Sequence, residues 1–119
     1  MKQHAYSIKN AYKGMVWAFR TQANYRIHFI LSILSLLACY FLRVSYNEFL
    51  TIILIIFIGF MVEALNTAIE EVANAIDGKW REDIKLAKDV SSAAMLIFSL
   101  GALIIALIIF VPKLLAFSF

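Results

Sequence analysis

Residues 49–69 read FLTIILIIFIGFMVEALNTAI, 21 residues in which Glu63 is the only charge. A helix needs about 20 apolar residues, with a range of about 17–25, to cross the hydrocarbon core of a bilayer. The stretch is therefore long enough to span. A second run, from Val90 to Val111, holds 22 residues with no charge and is closed by Pro112 and Lys113. A third, from Ile27 to Leu42, holds 16 between Arg26 and Arg43. It is short by itself but gains length from Asn24 and Tyr25 if Arg26 extends its charged head to the interface. Three transmembrane helices follow, over about residues 25–43, 48–69 and 90–111.

The whole chain agrees with this. Of its 119 residues, 63% are hydrophobic and 16% charged, against about 45–50% and about 25% in a soluble domain. Its mean hydropathy is +0.84. So little polar material cannot cover a small soluble globule. The balance also excludes a disordered segment and a disulfide-stapled scaffold, and Cys39 has no second cysteine to pair with. The chain is expected to be a single membrane domain over 1–119. The glycines at 14, 59, 78 and 101 are too scattered to cradle a phosphate, and neither GxxxxGK[ST] nor HRD occurs, so the soluble kinase and NTPase scaffolds are absent.

Residues 1–20 carry Lys2, Lys9, Lys13 and Arg20 and lack the apolar centre of a signal peptide. At 100° per residue the four cations fall within about 40° of one another, while Ile8, Ala11, Tyr12, Met15, Val16 and Phe19 share a broad face elsewhere. An amphipathic helix over about 5–21, lying in the membrane surface, is expected; a helix packed on a soluble partner is the alternative. Nine of the eleven cations lie in the N-terminal stretch through Arg26 or between Gly78 and Asp89. By the positive-inside rule the N-terminus and the second connection are cytoplasmic and the C-terminus lies outside. Anionic headgroups and phosphate compounds account for the net charge of +3, and no nucleic-acid partner is implied.

Glu63 lies 14 residues beyond Phe49, about 21 Å into a core of about 30 Å. That is near the cytoplasmic edge, where lipid headgroups and cytosolic solutes meet. A carboxylate in a spanning helix marks a functional site by default. Asn66 and Glu70, at i+3 and i+7, share its helix face, which Thr67 and Asn74 extend. Glu63 and Glu70 are about 10.5 Å apart along the axis, too far to chelate one ion unaided. Glu63 is placed to take a proton from a lipid hydroxyl, and Glu70 to meet Mg²⁺ carried with nucleotide phosphates. The plainer reading is a polar stripe that mates helices through hydrogen bonds, which suits Asn66 but suits two carboxylates less well. At the start of the last span, Lys88 is placed to neutralise a transferring phosphate, with Asp89 beside it to hold it. Simple snorkelling of Lys88 explains that position equally well. His4 and His28 have no ligand cluster around them, and Cys39 reads as a small apolar filler. Trp17 and Trp80 read as interface anchors, and Trp80 is also placed to cover a nucleotide.

Glu63-Ala-Leu-Asn66-Thr-Ala-Ile-Glu70, with Lys88-Asp89 beginning 25 positions after Glu63, resembles the prokaryotic diacylglycerol kinase/undecaprenol kinase family of small membrane lipid kinases, over roughly Ile8 to Lys113. The resemblance implies a homotrimer of three-span subunits in the bacterial cell membrane, with active sites between protomers and ATP as phosphoryl donor to a lipid alcohol. It makes Glu63 the general base with Asn66 its polar neighbour. Glu70 becomes a ligand for Mg²⁺ with ATP, Lys88 a phosphate contact, Asp89 the residue that orients Lys88, and Arg26 a basic residue near the nucleotide. Two positions depart from the family pattern: Gln22 and Asn74 stand where a metal-binding glutamate and an aspartate are usual, leaving Gln22 a neutral oxygen donor for the metal and Glu71 or Asp77 to compensate. The 107–113 stretch and Asn66-Thr67-Ala68 lean toward undecaprenol over diacylglycerol. The competing readings are a small multidrug-type transporter, which usually has four spans with its glutamate in the first, and a purely structural membrane protein.

Overall fold

The computed structural model describes residues 2–76 and 81–117. It is all α-helix: α1 Lys2–Thr21, α2 Ala23–Phe41, α3 Tyr46–Ile76 and α4 Glu82–Phe117. The last three are long and apolar enough to cross a membrane. Most of their large hydrophobic side chains are exposed, including Ile30, Leu34, Phe57, Leu65, Ile97 and Ile108. Buried alongside a few apolar residues such as Ile52 and Ile109 are the polar Glu63, Thr67 and Ser91. This inversion of the soluble pattern suits helices whose outer surface meets lipid or further protein rather than water.

The breaks between helices follow from local chemistry. Gln22 alone separates α1 from α2, in extended conformation (φ −107°, ψ 113°). Its amide donates to Ala18 O at 2.8 Å, and the Arg26 guanidinium donates to Arg20 O at 2.9 Å and Phe19 O at 3.4 Å. The carbonyls left open at the end of α1 thus gain partners from the next helix. Between α2 and α3, Arg43 takes a left-handed φ of 54°. Its amide reaches Tyr40 O, and Val44 N reaches Cys39 O, the double closure of a Schellman turn. Ser45 then opens α3 with a capping box: Glu48 N donates to Ser45 Oγ at 3.2 Å and Ser45 N to Glu48 Oε1 at 2.9 Å.

At this end of the molecule Cys39, Ile52 and Ile109 form a small apolar cluster, with Val44, Ile56, Ile105 and Phe110 against it. Lys113 Nζ meets Glu48 Oε1 at 3.0 Å and ties α4 to the start of α3.

The expected boundaries change in physically readable ways. The first span lies two residues earlier than 25–43, because the Schellman turn ends it at Phe41 although the apolar run continues to Leu42. The last helix does not stop at Pro112 but runs on to Phe117. Proline's fixed φ suits a helix, and spanning helices tolerate the amide it lacks. At 31 and 36 residues, α3 and α4 are about 46 and 54 Å long. Both outrun a core of about 30 Å. Their surplus turns carry Glu70, Asn74, Lys85, Lys88 and Asp89.

Candidate active site at the junction of three helices

A cleft of about 410 Å³ opens where α2, α3 and α4 converge. Asn24, Ile27, His28 and Leu31 line it from α2; Glu63, Asn66 and Glu70 from α3; and Ser92, Met95, Leu96 and Ser99 from α4. The polar face expected on α3 therefore points into one cavity. The cleft wall is mixed, apolar toward Leu31 and Leu96 and polar toward Glu70, as an amphiphilic ligand requires.

Glu63 is 2% exposed. Among the described residues its Oε2 is the one buried side-chain oxygen or nitrogen without a hydrogen-bond partner. Buried polar groups are nearly always satisfied, and an orphaned carboxylate oxygen calls for a functional account. His28 Nε2 lies 4.0 Å from it. The His28 ring sits beside Phe60 and Phe98, each with its centroid 5.9 Å away. Gly59 makes room for this: a Cβ there would stand 2.7 Å from Phe98 Cζ and 3.3 Å from His28 Nδ1.

Asn66 is tied across helices, accepting from Ser91 Oγ at 2.5 Å. This residue thus makes one of the polar ties between α3 and α4, in which Glu63 takes no part. Glu70 is half-buried and lines the cleft about two turns from Glu63. Lys88 donates to Asn74 Oδ1 at 2.6 Å, so the asparagine at the unusual position holds the lysine. Asp89 was expected to orient Lys88; it pairs instead with Lys85 at 2.7 Å, one turn away on the same helix. Helix geometry gives the reason, since neighbours in sequence point about 100° apart whereas i and i+4 face each other.

Arg26 and Gln22 stand at the α1–α2 break. Arg26 is engaged with the α1 carbonyls, and Gln22 Nε2 makes one 3.4 Å contact, with Thr21 Oγ1. Neither is part of the cleft lining, nor are Asn74, Lys88 and Asp89. Asp77 and Trp80 lie outside the described residues.

No group of three His, Cys, Asp or Glu that could hold a metal ion occurs among the described residues. That donor set still suits Mg²⁺ brought by a nucleotide, because Mg²⁺ commonly takes one or two protein carboxylates and fills its sphere with phosphate oxygens and water. Glu70 is such a carboxylate. His28, Gly59 and Ser91 were not singled out as site residues from sequence. The signal for His28 is its i, i+4 relation to Asn24 at the start of an apolar run, which puts two polar side chains on one helix face.

Comparison with known proteins bears on what this cleft does. The chain is 34% identical to the undecaprenol kinase of Bacillus subtilis (strain 168) over 108 residues, 91% of this chain and 88% of that protein. It is 31% identical to the diacylglycerol kinase of Synechocystis sp. (strain ATCC 27184 / PCC 6803 / Kazusa) over 111 residues, 92% of this chain but 63% of that protein. Residues 9–110 match the family described as prokaryotic diacylglycerol kinase. With three helices able to span a bilayer and a buried carboxylate at their junction, the chain belongs to the prokaryotic diacylglycerol kinase family, a family of lipid kinases.

Proposed function

We propose that the protein transfers the γ-phosphoryl group of ATP to the hydroxyl of a membrane lipid alcohol, with undecaprenol the favoured acceptor and diacylglycerol the next. The observation that carries this reading is Glu63, whose unpartnered, buried Oε2 belongs to a cleft also lined by Glu70. A lipid hydroxyl entering from the apolar side gives its proton to the Glu63 carboxylate. Its oxygen bonds to the γ-phosphorus as the bond to ADP breaks, and ADP leaves. Little covalent chemistry is asked of the protein; positioning and neutralisation of phosphate charge do most of the work.

Glu70, with Gln22 as a neutral oxygen donor, would hold Mg²⁺ together with the nucleotide, and the ion supplies neutralisation of phosphate charge. Lys88, steadied by Asn74, approaches the phosphates from α4, and Arg26 contributes positive charge at the α1–α2 break. Asn66 keeps α3 and α4 in register beside the base, and Asp89 fixes the neighbouring Lys85. The N-terminal helix lies in the cytoplasmic surface of the bacterial inner membrane, the C-terminus faces outside, and a homotrimer places each site between protomers. Support for undecaprenol comes from the Bacillus relative, which matches over most of both chains.

The test is phosphoryl transfer by detergent-solubilised protein with Mg-ATP, offered undecaprenol and diacylglycerol in separate reactions. Lipid phosphate is expected with both and faster with undecaprenol. Intact trimers that phosphorylate neither lipid would overturn the proposal, and faster transfer to diacylglycerol would reverse the acceptor assignment.

A further inference from the structure

His28 has no part in the step described above, yet its position is strongly specified. It enters the cleft from α2, and its Nε2 stands 4.0 Å from the one buried polar side-chain atom that lacks a partner among the described residues. Phe60 flanks its ring from α3 and Phe98 from α4. Gly59 allows the close approach, since a Cβ there would press on both Phe98 and Nδ1. Aromatic rings and a glycine therefore hold an imidazole against an orphaned carboxylate.

The 4.0 Å separation is longer than a hydrogen bond. A movement of about 1 Å closes it, and bonds at catalytic groups are commonly long until substrate is bound. A buried carboxylate oxygen without a partner calls for a donor, and a donor would fix its direction.

We propose that His28 is a positioning residue for Glu63. With the cleft occupied, Nε2–H of the imidazole donates to Glu63 Oε2, which aims the carboxylate at the substrate hydroxyl. A carboxylate offers about four lone-pair sites, so one bond from His28 leaves room for the incoming proton. That proton passes from the lipid hydroxyl to Glu63 as the new P–O bond forms and the bond to ADP breaks. His28 neither gains nor loses a proton. The inference rests on Glu63 as the base.

Two measurements test it. His28→Leu keeps the apolar bulk and removes the donor; it is expected to lower kcat by about tenfold to a hundredfold, the usual cost of losing a group that orients a reactive one, with KM for ATP unchanged. His28→Gln can place its own amide nitrogen near the Nε2 position and should recover most of kcat. Equal losses in the two variants, or none in either, would overturn the proposal.

The second measurement needs no turnover. The chain has two histidines, so in protein with ¹⁵N-labelled histidine and His4→Gln the remaining imidazole signals belong to His28. They should move on Glu63→Gln; signals that stay in place would sink the contact even if His28→Leu failed to fold. Wild-type protein that transfers no phosphate would instead remove the kinase reading, leaving the His28–Glu63 contact to be judged by the spectra.

Discussion

At the scale of single residues, Glu63 joins cost to function. A carboxylate in a spanning helix is unfavourable by about 2.5–3.5 kcal/mol at the bilayer centre on insertion scales, and by less toward the edge. Here one of the Glu63 oxygens has no compensating hydrogen bond. Removing the charge while keeping the shape should therefore separate stability from activity. Glu63→Gln is expected to lower kcat by about 10²–10⁴-fold, the usual contribution of a positioned base, while leaving the unfolding temperature in detergent unchanged or higher. A variant that lost Tm and kept its rate would contradict both halves of this assignment. The face on which Glu63 lies was legible in the sequence, because helical periodicity alone puts Asn66 and Glu70 beside it. His28 was not legible as its companion. The two are 35 positions apart, and only the packing of α2 on α3, with Gly59 admitting the ring, brings them within 4.0 Å. The partner of Asp89 was also missed, for a local reason: adjacency in sequence suggested Lys88, whereas the helical turn selects Lys85.

At the scale of elements, the ends of helices carry information that hydropathy does not. Charge-free runs located all three spans, but the turns set their limits. The Ser45–Glu48 capping box starts α3 two residues before the expected boundary, and the Schellman turn at Arg43 ends α2 before its apolar run is finished. Both are patterns of hydrogen bonding rather than of polarity, so a reading by apolar length passes over them. Arg43 is a specific point of strain, since a non-glycine residue at φ 54° crowds its Cβ against the following carbonyl oxygen. Arg43→Gly should relieve this and stabilise the protein by about 1 kcal/mol, measured as a rise of a few degrees in Tm. Phosphoryl transfer should be unaffected, because the turn lies at the opposite end of the bundle from the cleft. A fall in Tm would mean that the guanidinium contributes more than the backbone strain costs.

At the scale of the whole molecule, one chain does not enclose its own site. Three helices able to span a bilayer meet along part of their lengths, the cleft is open to its surroundings, and many large apolar side chains are exposed. The phosphoryl transfer proposed at Glu63 needs water excluded from one side and lipid admitted from the other, which α2, α3 and α4 of one chain do not provide together. Ala64 and Ala68 lie exposed on α3, small enough to let another helix approach closely. The homotrimer proposed above, with sites between protomers, would answer these needs and would tie activity to assembly through mass action. Diluting the protein into increasing detergent should lower phosphoryl transfer per chain in step with the trimer fraction measured by cross-linking, and reconcentration into lipid should restore both. Helical content should stay constant throughout, because each helix satisfies its own backbone hydrogen bonds within the apolar phase. If dissociated monomers turned over lipid at the rate of the assembled protein, the cleft of a single chain would be sufficient and the trimer would have no catalytic role.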